Sequence, residues 1–161
     1  MDPIKSETHA FQDYYPENYA HCYGCGRLND HGLKIKSYWD GDESVCHFMP
    51  RSYHTGGYPN LMYGGLIASL IDCHAAGTAS AAKAKADGID LETHPLERFV
   101  TASLKVDYLS PTPIDVPVEV RAKVREISGR KVWLDATLLA KGTVCAKGEV
   151  LMIQIPDKAK N

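Results

Sequence analysis

Hydrophobic positions recur at three- to four-residue spacing in one stretch of this chain and at every second residue in most others. Leu66, Ile67, Leu70, Ile71 and Ala75 repeat at helical spacing after Gly64, which predicts an amphipathic helix. Alanine, serine and lysine carry it to Ala86, and Asp87–Gly88 supplies the stop. Further on the period falls to two. Ala102, Leu104, Val106 and Tyr108 alternate with Ser103, Lys105 and Asp107, and Val116, Val118, Val120, Ala122 and Val124 alternate with polar residues. Val132, Leu134, Ala136 and Leu138 follow, and a last strand covers 144–155. The turn signals "SGR" at 128–130 and "KGT" at 141–143 separate these runs. Upstream, Leu33–Trp39 and Glu43–Phe48 read as short strands around "DGD". Residues 1–31 lack a period and read as an irregular lead-in with room for a short helix. The stretches "PRSYHTGGYPN" at 50–60 and 89–99 read as loops. The sum is an α+β fold: a long central helix over 64–86, then a four-stranded antiparallel meander over 101–155, with two earlier strands joining the same sheet. One helix covers one face of a sheet, so the other face must be polar or meet a second copy.

Composition narrows the class. A chain of 161 residues with 44% hydrophobic and 24% charged residues suits one domain, residues 1–161. The formal net charge of −2 gives no footing for bulk nucleic-acid binding. No apolar run approaches a membrane span, and the polar first twenty residues do not read as a signal peptide. The five cysteines, 22, 25, 46, 73 and 145, are scattered and odd in number, which suggests reduced thiols and a cytoplasmic setting. Cys22-x-x-Cys25, near His21 and His31, has metal-like spacing, but a four-ligand zinc site needs a second pair that is not visible. The expectation is therefore no metal and a packing role for this loop. Cys73 reads as a buried helix thiol, and His74, about 200° around the helix from Asp72, as a core or interface histidine. Neither a Gly-x-Ser-x-Gly elbow nor a phosphate-binding P-loop is present.

The chemistry points to Asp72. Gly65, Ala68, Ser69, Asp72 and Ala76 share a helix face stripped of bulk, and Asp72 is its one charge. A carboxylate in an otherwise buried segment must be paired, neutralised or kept for chemistry. The helix start at Gly64–Gly65 offers free backbone N–H groups to a developing oxyanion. Eight residues at about 1.5 Å rise put these features roughly 12 Å apart. They can serve one carbonyl only if a second, antiparallel copy of the helix brings one chain's glycines to the other's aspartate, as in a symmetric dimer. The plainer reading is a tight glycine turn and an Asp72 paired with a lysine or arginine.

The segments "CYGCGRLNDHGLKIK", "HTGGYPNLMYGGLIASLID", "VTASLKVDYLSPTP" and "GRKVWLDATLLAKGTVCAKGEVLM", over about residues 20–155, resemble the hotdog-fold thioesterase superfamily, in particular the PaaI-like acyl-CoA thioesterases of phenylacetate pathways. The resemblance implies a long helix wrapped by a mainly antiparallel sheet of five to six strands. It also implies hydrolysis of an acyl-CoA to free coenzyme A and a carboxylic acid. Coenzyme A is then part of the substrate and no further cofactor is expected. The partners implied are an acyl-CoA and other copies of the chain, as a homodimer or a tetramer of dimers, with no nucleic acid and no membrane. Family members start the helix with His-Gly-Gly and use an Asp or Glu farther on as base or nucleophile. Gly64, Gly65 and Asp72 match, while Tyr63 stands in the histidine position. Thr101 matches a Ser or Thr that supports the carboxylate, and His54 matches a recurrent His-x-Gly element that lines the site. Arg130 and Lys131 match a segment that contacts coenzyme A, whose phosphates suit cationic side chains. Arg121, Lys123 and Arg125 are expected to extend that patch. The alternative reading is a hotdog protein that binds acyl-CoA or another ligand without catalysis; a hotdog dehydratase lacks its Asp–His pattern here.

Overall fold

The helix predicted after Gly64 forms as expected: α1 spans Gly64–Ala86. The structure, a computed structural model, describes residues 9–155; residues 1–8 of the predicted lead-in, and residues 156–161 after the predicted last strand, lie outside those residues. Leu66, Ile67, Leu70, Ile71 and Ala75 are all buried on α1. Its partly exposed positions include Gly65, Ala68, Ser69, Asp72 and Ala76, so the small-residue face is the one left accessible. Lys83 and Lys85 lie in the last turn, where they oppose the negative end of the helix dipole.

Six strands wrap this helix: β1 (Ser37–Asp40), β2 (Glu43–Phe48), β3 (Phe99–Tyr108), β4 (Val118–Ser128), β5 (Lys131–Ala140) and β6 (Thr143–Gln154). They form one antiparallel sheet in the order β1-β2-β4-β5-β6-β3, a hotdog fold. The predicted turns hold: Gly41, Gly88, Gly129 and Gly142 all have positive φ, which glycine adopts without steric cost. Gly148 on β6 lets α1 come close, since a Cβ there would sit 2.7 Å from Ile71 Cγ2.

Three expectations change. The meander has three strands, β4-β5-β6, because β3 pairs with β6 and ends the sheet as an edge strand. Consequently the alternating residues of β3 are not a core face: Leu104 is 36% and Tyr108 54% exposed. The first strand begins at Ser37 rather than Leu33. Lys34 takes a positive φ, and the Leu33 and Ile35 amides donate to the Tyr23 and Gly24 carbonyls, tying this stretch to the lead-in. The lead-in itself contains two 3-10 turns, Phe11–Tyr14 and Glu17–Tyr19.

The inner face of the sheet supplies Val118, Val120, Val132, Leu134, Leu138, Val150 and Met152 to the core beneath α1. The outer face is polar, as one of the two expected solutions. Arg121 pairs with Asp40 at 2.9 Å and Glu43 at 3.2 Å, Lys123 with Asp42 at 3.0 Å, and Arg125 with Asp135 and Glu149. Arg121, Lys123 and Arg125 therefore do not extend a free cationic patch; their charges are met by carboxylates on neighbouring strands and turns.

Candidate active site

Among the described residues no cation forms an ion pair with Asp72. Its Oδ1 accepts a hydrogen bond from Thr101 Oγ1 at 2.5 Å. The position of Thr101 follows from the strand: pairing of β3 with β6 slips between Thr101 and Ser103, and such a bulge re-aims the side chains beside it. Both residues line a cavity of about 500 Å³ whose wall also includes Tyr19, His21, Cys22 and Arg98. A carboxylate held by a hydroxyl at the edge of a cavity is a competent proton acceptor or nucleophile.

The helix start forms a separate concavity. His54, Tyr63, Gly65 and Ser69 line a cavity of about 280 Å³, with Tyr23 and Tyr53 beside them. The Tyr63 carbonyl takes the first helical bonds from the Leu66 and Ile67 amides, and no side chain caps the helix, which leaves the Gly64 and Gly65 amides as the donors at its end. The Tyr63 ring lies against Gly65, where a Cβ would meet it at 2.5 Å. His54 accepts from the Arg51 amide at 3.0 Å through Nδ1, and its carbonyl accepts from the Tyr63 amide. Partial burial, with the Arg51 charge nearby, lowers its pKa below the ordinary histidine value. Gly64 turns toward β3, where Tyr108 Oη donates to its carbonyl at 2.6 Å.

The structure thus brings Asp72 to Thr101, and His54 and Tyr63 to Gly65, but gives the two groups different cavities in one chain. Arg130 and Lys131 sit at the β4–β5 turn. Arg130 donates to the Gln154 carbonyl at 3.3 Å, and Gln154 pairs with Phe99 on the cavity wall. These two cations therefore lie at the same end of the sheet as Asp72, across β6 and β3. Sequence reasoning missed Arg98, an exposed cation on the cavity wall itself, 6.0 Å from the Tyr19 ring. It also missed Cys73 as a neighbour of Cys22: their sulfurs are 3.7 Å apart. Neither has a local motif; only the folded lead-in puts them there.

His74 takes no part in either cavity. It is fully buried, with Nδ1 2.8 Å from Ser37 Oγ and Nε2 2.9 Å from Ser44 Oγ. Gln12 Nε2 donates to Ser37 Oγ, and Thr78 Oγ1 lies 2.6 Å from Ser44 Oγ, extending the network. Burial brings its pKa down to about 4.

A family model described as the thioesterase superfamily matches residues 59–147. The chain is 42% identical to a crystallised thioesterase superfamily protein from Shewanella loihica PV-4, covering 86% of this chain and 97% of that one with a TM-score of 0.66. It is 31% identical over 117 residues to the acyl-coenzyme A thioesterase THEM4 of Rattus norvegicus, covering 71% of this chain and 44% of that protein. It is 36% identical over 89 residues to THEM4 of Xenopus laevis, 55% of this chain and 34% of that protein, so it spans less than half of these curated relatives. The E. coli PaaI protein of the phenylacetic acid degradation operon shares the fold at a TM-score of 0.62 and 17% identity, over 77% of this chain and 81% of that one. Among the described residues no helix is long and apolar enough to cross a membrane.

Proposed function

Because the chain belongs to the thioesterase superfamily, we propose that it hydrolyses acyl-CoA thioesters to free coenzyme A and a carboxylic acid, in a homodimer whose active sites are shared between subunits. The observation that carries this reading is the hydrogen-bonded Asp72–Thr101 pair on a cavity wall. Asp72 takes the proton of a water that attacks the thioester carbonyl carbon. The carbonyl oxygen gains negative charge and is held by the Gly64 and Gly65 amides of the opposing subunit, where the helix dipole adds to the stabilisation. Collapse of the tetrahedral intermediate breaks the carbon–sulfur bond, and the coenzyme A thiolate recovers the proton. Direct attack by the Asp72 carboxylate, giving an anhydride that water then opens, uses the same geometry. Arg130, Lys131 and Arg98 offer charge to the substrate phosphates at that end of the sheet.

Support for the shared site is the separation of the two cavities in one chain together with the edge of β3, which among the described residues pairs with no strand on its outer side. The second reading, binding of acyl-CoA without turnover, is favoured by one observation: the Tyr63 ring lies over Gly65, one of the two proposed oxyanion donors. A panel of aliphatic and aromatic acyl-CoAs, followed by release of free thiol, decides between them. Steady turnover that falls by about 10²- to 10⁴-fold in Asp72→Asn, with the fold retained, supports hydrolysis. Saturable binding with no thiol release from any member supports the second reading. Near-native turnover in the folded Asp72→Asn variant removes Asp72 from the chemistry.

A further inference from the structure

We propose that Cys22, Cys25 and Cys73 form a binding site for a soft, thiophilic cation of the zinc class, with its fourth position open to the cavity that holds Asp72. The three sulfurs lie within 4.8 Å of one another, two from the lead-in loop and one from α1. Cys22 and Cys73 are 3.7 Å apart. Thiolates bound to one tetrahedral zinc at about 2.3 Å stand roughly 3.8 Å from each other, whereas a disulfide requires about 2.05 Å. The pair is thus already spaced for a shared ion and far from bonded to each other. The donor set is all sulfur, which selects zinc or copper(I) over magnesium, calcium or manganese.

The loop is built to deliver these sulfurs. The Gly26 amide closes it on the Cys22 carbonyl at 2.7 Å. A Cβ at Gly24 would sit 2.2 Å from Cys73 Sγ, and one at Gly26 would meet the Cys22 amide nitrogen at 2.4 Å, so only glycine lets the loop approach α1. A cation that binds thiolates displaces the thiol protons as it enters. Cys25 and Cys73 are 8% exposed and Cys22 is open to solvent. All three line the cavity of about 500 Å³, so an ion held there presents one free position to water or to a soft ligand in that space.

The sequence expectation of no metal rested on finding only one cysteine pair. The third donor comes from 48 residues farther along, inside the helix, and only folding reveals it. This inference does not depend on thioester hydrolysis.

The test uses the whole chain, reduced and handled without oxygen. Zinc is titrated against a chromophoric chelator, and cobalt(II) replaces it in parallel because thiolate-to-cobalt absorption scales with the number of sulfur ligands. The expected result is one equivalent per chain. Cys22→Ser, at an exposed position that leaves the core intact, is expected to weaken binding by about 100-fold or more and to remove about a third of the charge-transfer intensity. Cys46→Ser, a buried thiol of β2 outside the cluster, is expected to leave both unchanged. Failure of the reduced wild-type chain to take up stoichiometric zinc overturns the proposal. So does undiminished binding in Cys22→Ser. Because the readouts are absorbance and stoichiometry, a chain that hydrolyses nothing can still pass this test, and an active enzyme can still fail it.

Discussion

At the scale of single residues, Asp72 and Thr101 come from elements 29 positions apart in sequence and meet at 2.5 Å. The hydroxyl has one proton, and donating it to the carboxylate fixes which oxygen faces the cavity. In the proposed reaction Thr101 is therefore a positioning residue. Removing one hydrogen bond to a charged group costs a factor of about 10 to 100 where the bond is made in the transition state. Thr101→Val is expected to lower kcat by that range with little change in KM, and Thr101→Ser to restore most of it. A purely structural role would instead leave kcat per folded molecule unchanged in the valine variant. In the proposed reaction the cations Arg130 and Lys131 act differently. Contacts to the nucleotide part of coenzyme A are made equally before and during reaction, so they lower KM and not the barrier. The double change Arg130→Ala/Lys131→Ala is expected to raise KM for acyl-CoA with kcat nearly constant, to flatten its salt dependence, and to lose its effect on an acyl-pantetheine lacking the nucleotide. An unchanged KM for the full substrate would leave these residues as solvated surface. Asp72, Gly64 and Gly65 were legible in the chain because a carboxylate and a glycine pair break an apolar helical pattern. Arg98 and Cys73 were not, because what singles them out is a neighbour on another element.

At the scale of elements, periodicity located α1 to the residue and β2 likewise, since burial on one face is written into the spacing of apolar side chains. It misplaced β3 because alternation reports a pleated strand without saying which strand it pairs with. Ala102, Leu104, Val106 and Tyr108 alternate as well at a sheet edge as in a meander. The lead-in was illegible for a related reason: it is held by Gln12, which reaches into the core to Ser37, and not by a period of its own. That contact belongs to a buried polar network centred on His74, which joins α1 to β1 and β2 through Ser37 and Ser44. The two ring nitrogens face the Ser37 and Ser44 hydroxyls, and burial holds the imidazole neutral with a pKa of about 4. The folded value lies below the ordinary value of about 6.5, so the unfolded chain takes up the proton first. Stability is full above about pH 6.5 and is lost as the pH falls from there to about 4, by roughly 3 kcal/mol at about 1.4 kcal/mol per unit. Chemical denaturation of the wild-type chain is expected to show this decline between about pH 6.5 and 5, above the range where most carboxylates protonate. His74→Gln cannot titrate. It is expected to be less stable at pH 7, because glutamine does not span both hydroxyls, yet nearly flat across the same window. An equal slope in wild type and His74→Gln would assign the acid limb to other groups.

At the scale of the whole molecule, the small-residue face of α1 and the edge strand β3 form one continuous margin. Thr101 near one end of β3 touches Asp72, and Tyr108 at the other end touches Gly64. Leu104, Tyr108 and Leu109 are exposed along it, and among the described residues β3 has a strand partner, β6, on one side only. A long edge with unpaired backbone groups and exposed apolar side chains is a template for pairing with another strand. In the proposed homodimer, antiparallel pairing of β3 with its copy about a two-fold axis would join the two sheets and set the two α1 helices side by side in opposite directions. That arrangement moves one subunit's glycines toward the other's Asp72, closing the gap of roughly 12 Å that helix rise imposes within a chain. The consequence is a complementation test with a numerical outcome. Asp72→Asn removes the carboxylate, and Gly65→Val blocks the donor end of the helix. Each is expected to be inactive alone. In a heterodimer of the two, one composite site combines a native Asp72 with a native Gly65, and the other carries both changes. Random pairing of equal amounts makes half of the dimers mixed, with one working site in two, so refolding the variants together is expected to restore about a quarter of wild-type thiol release. Mixing them after folding, without exchange of subunits, is expected to restore none. If verified heterodimers stay inactive, the carbonyl is held and attacked within one chain, and the two cavities serve separate purposes.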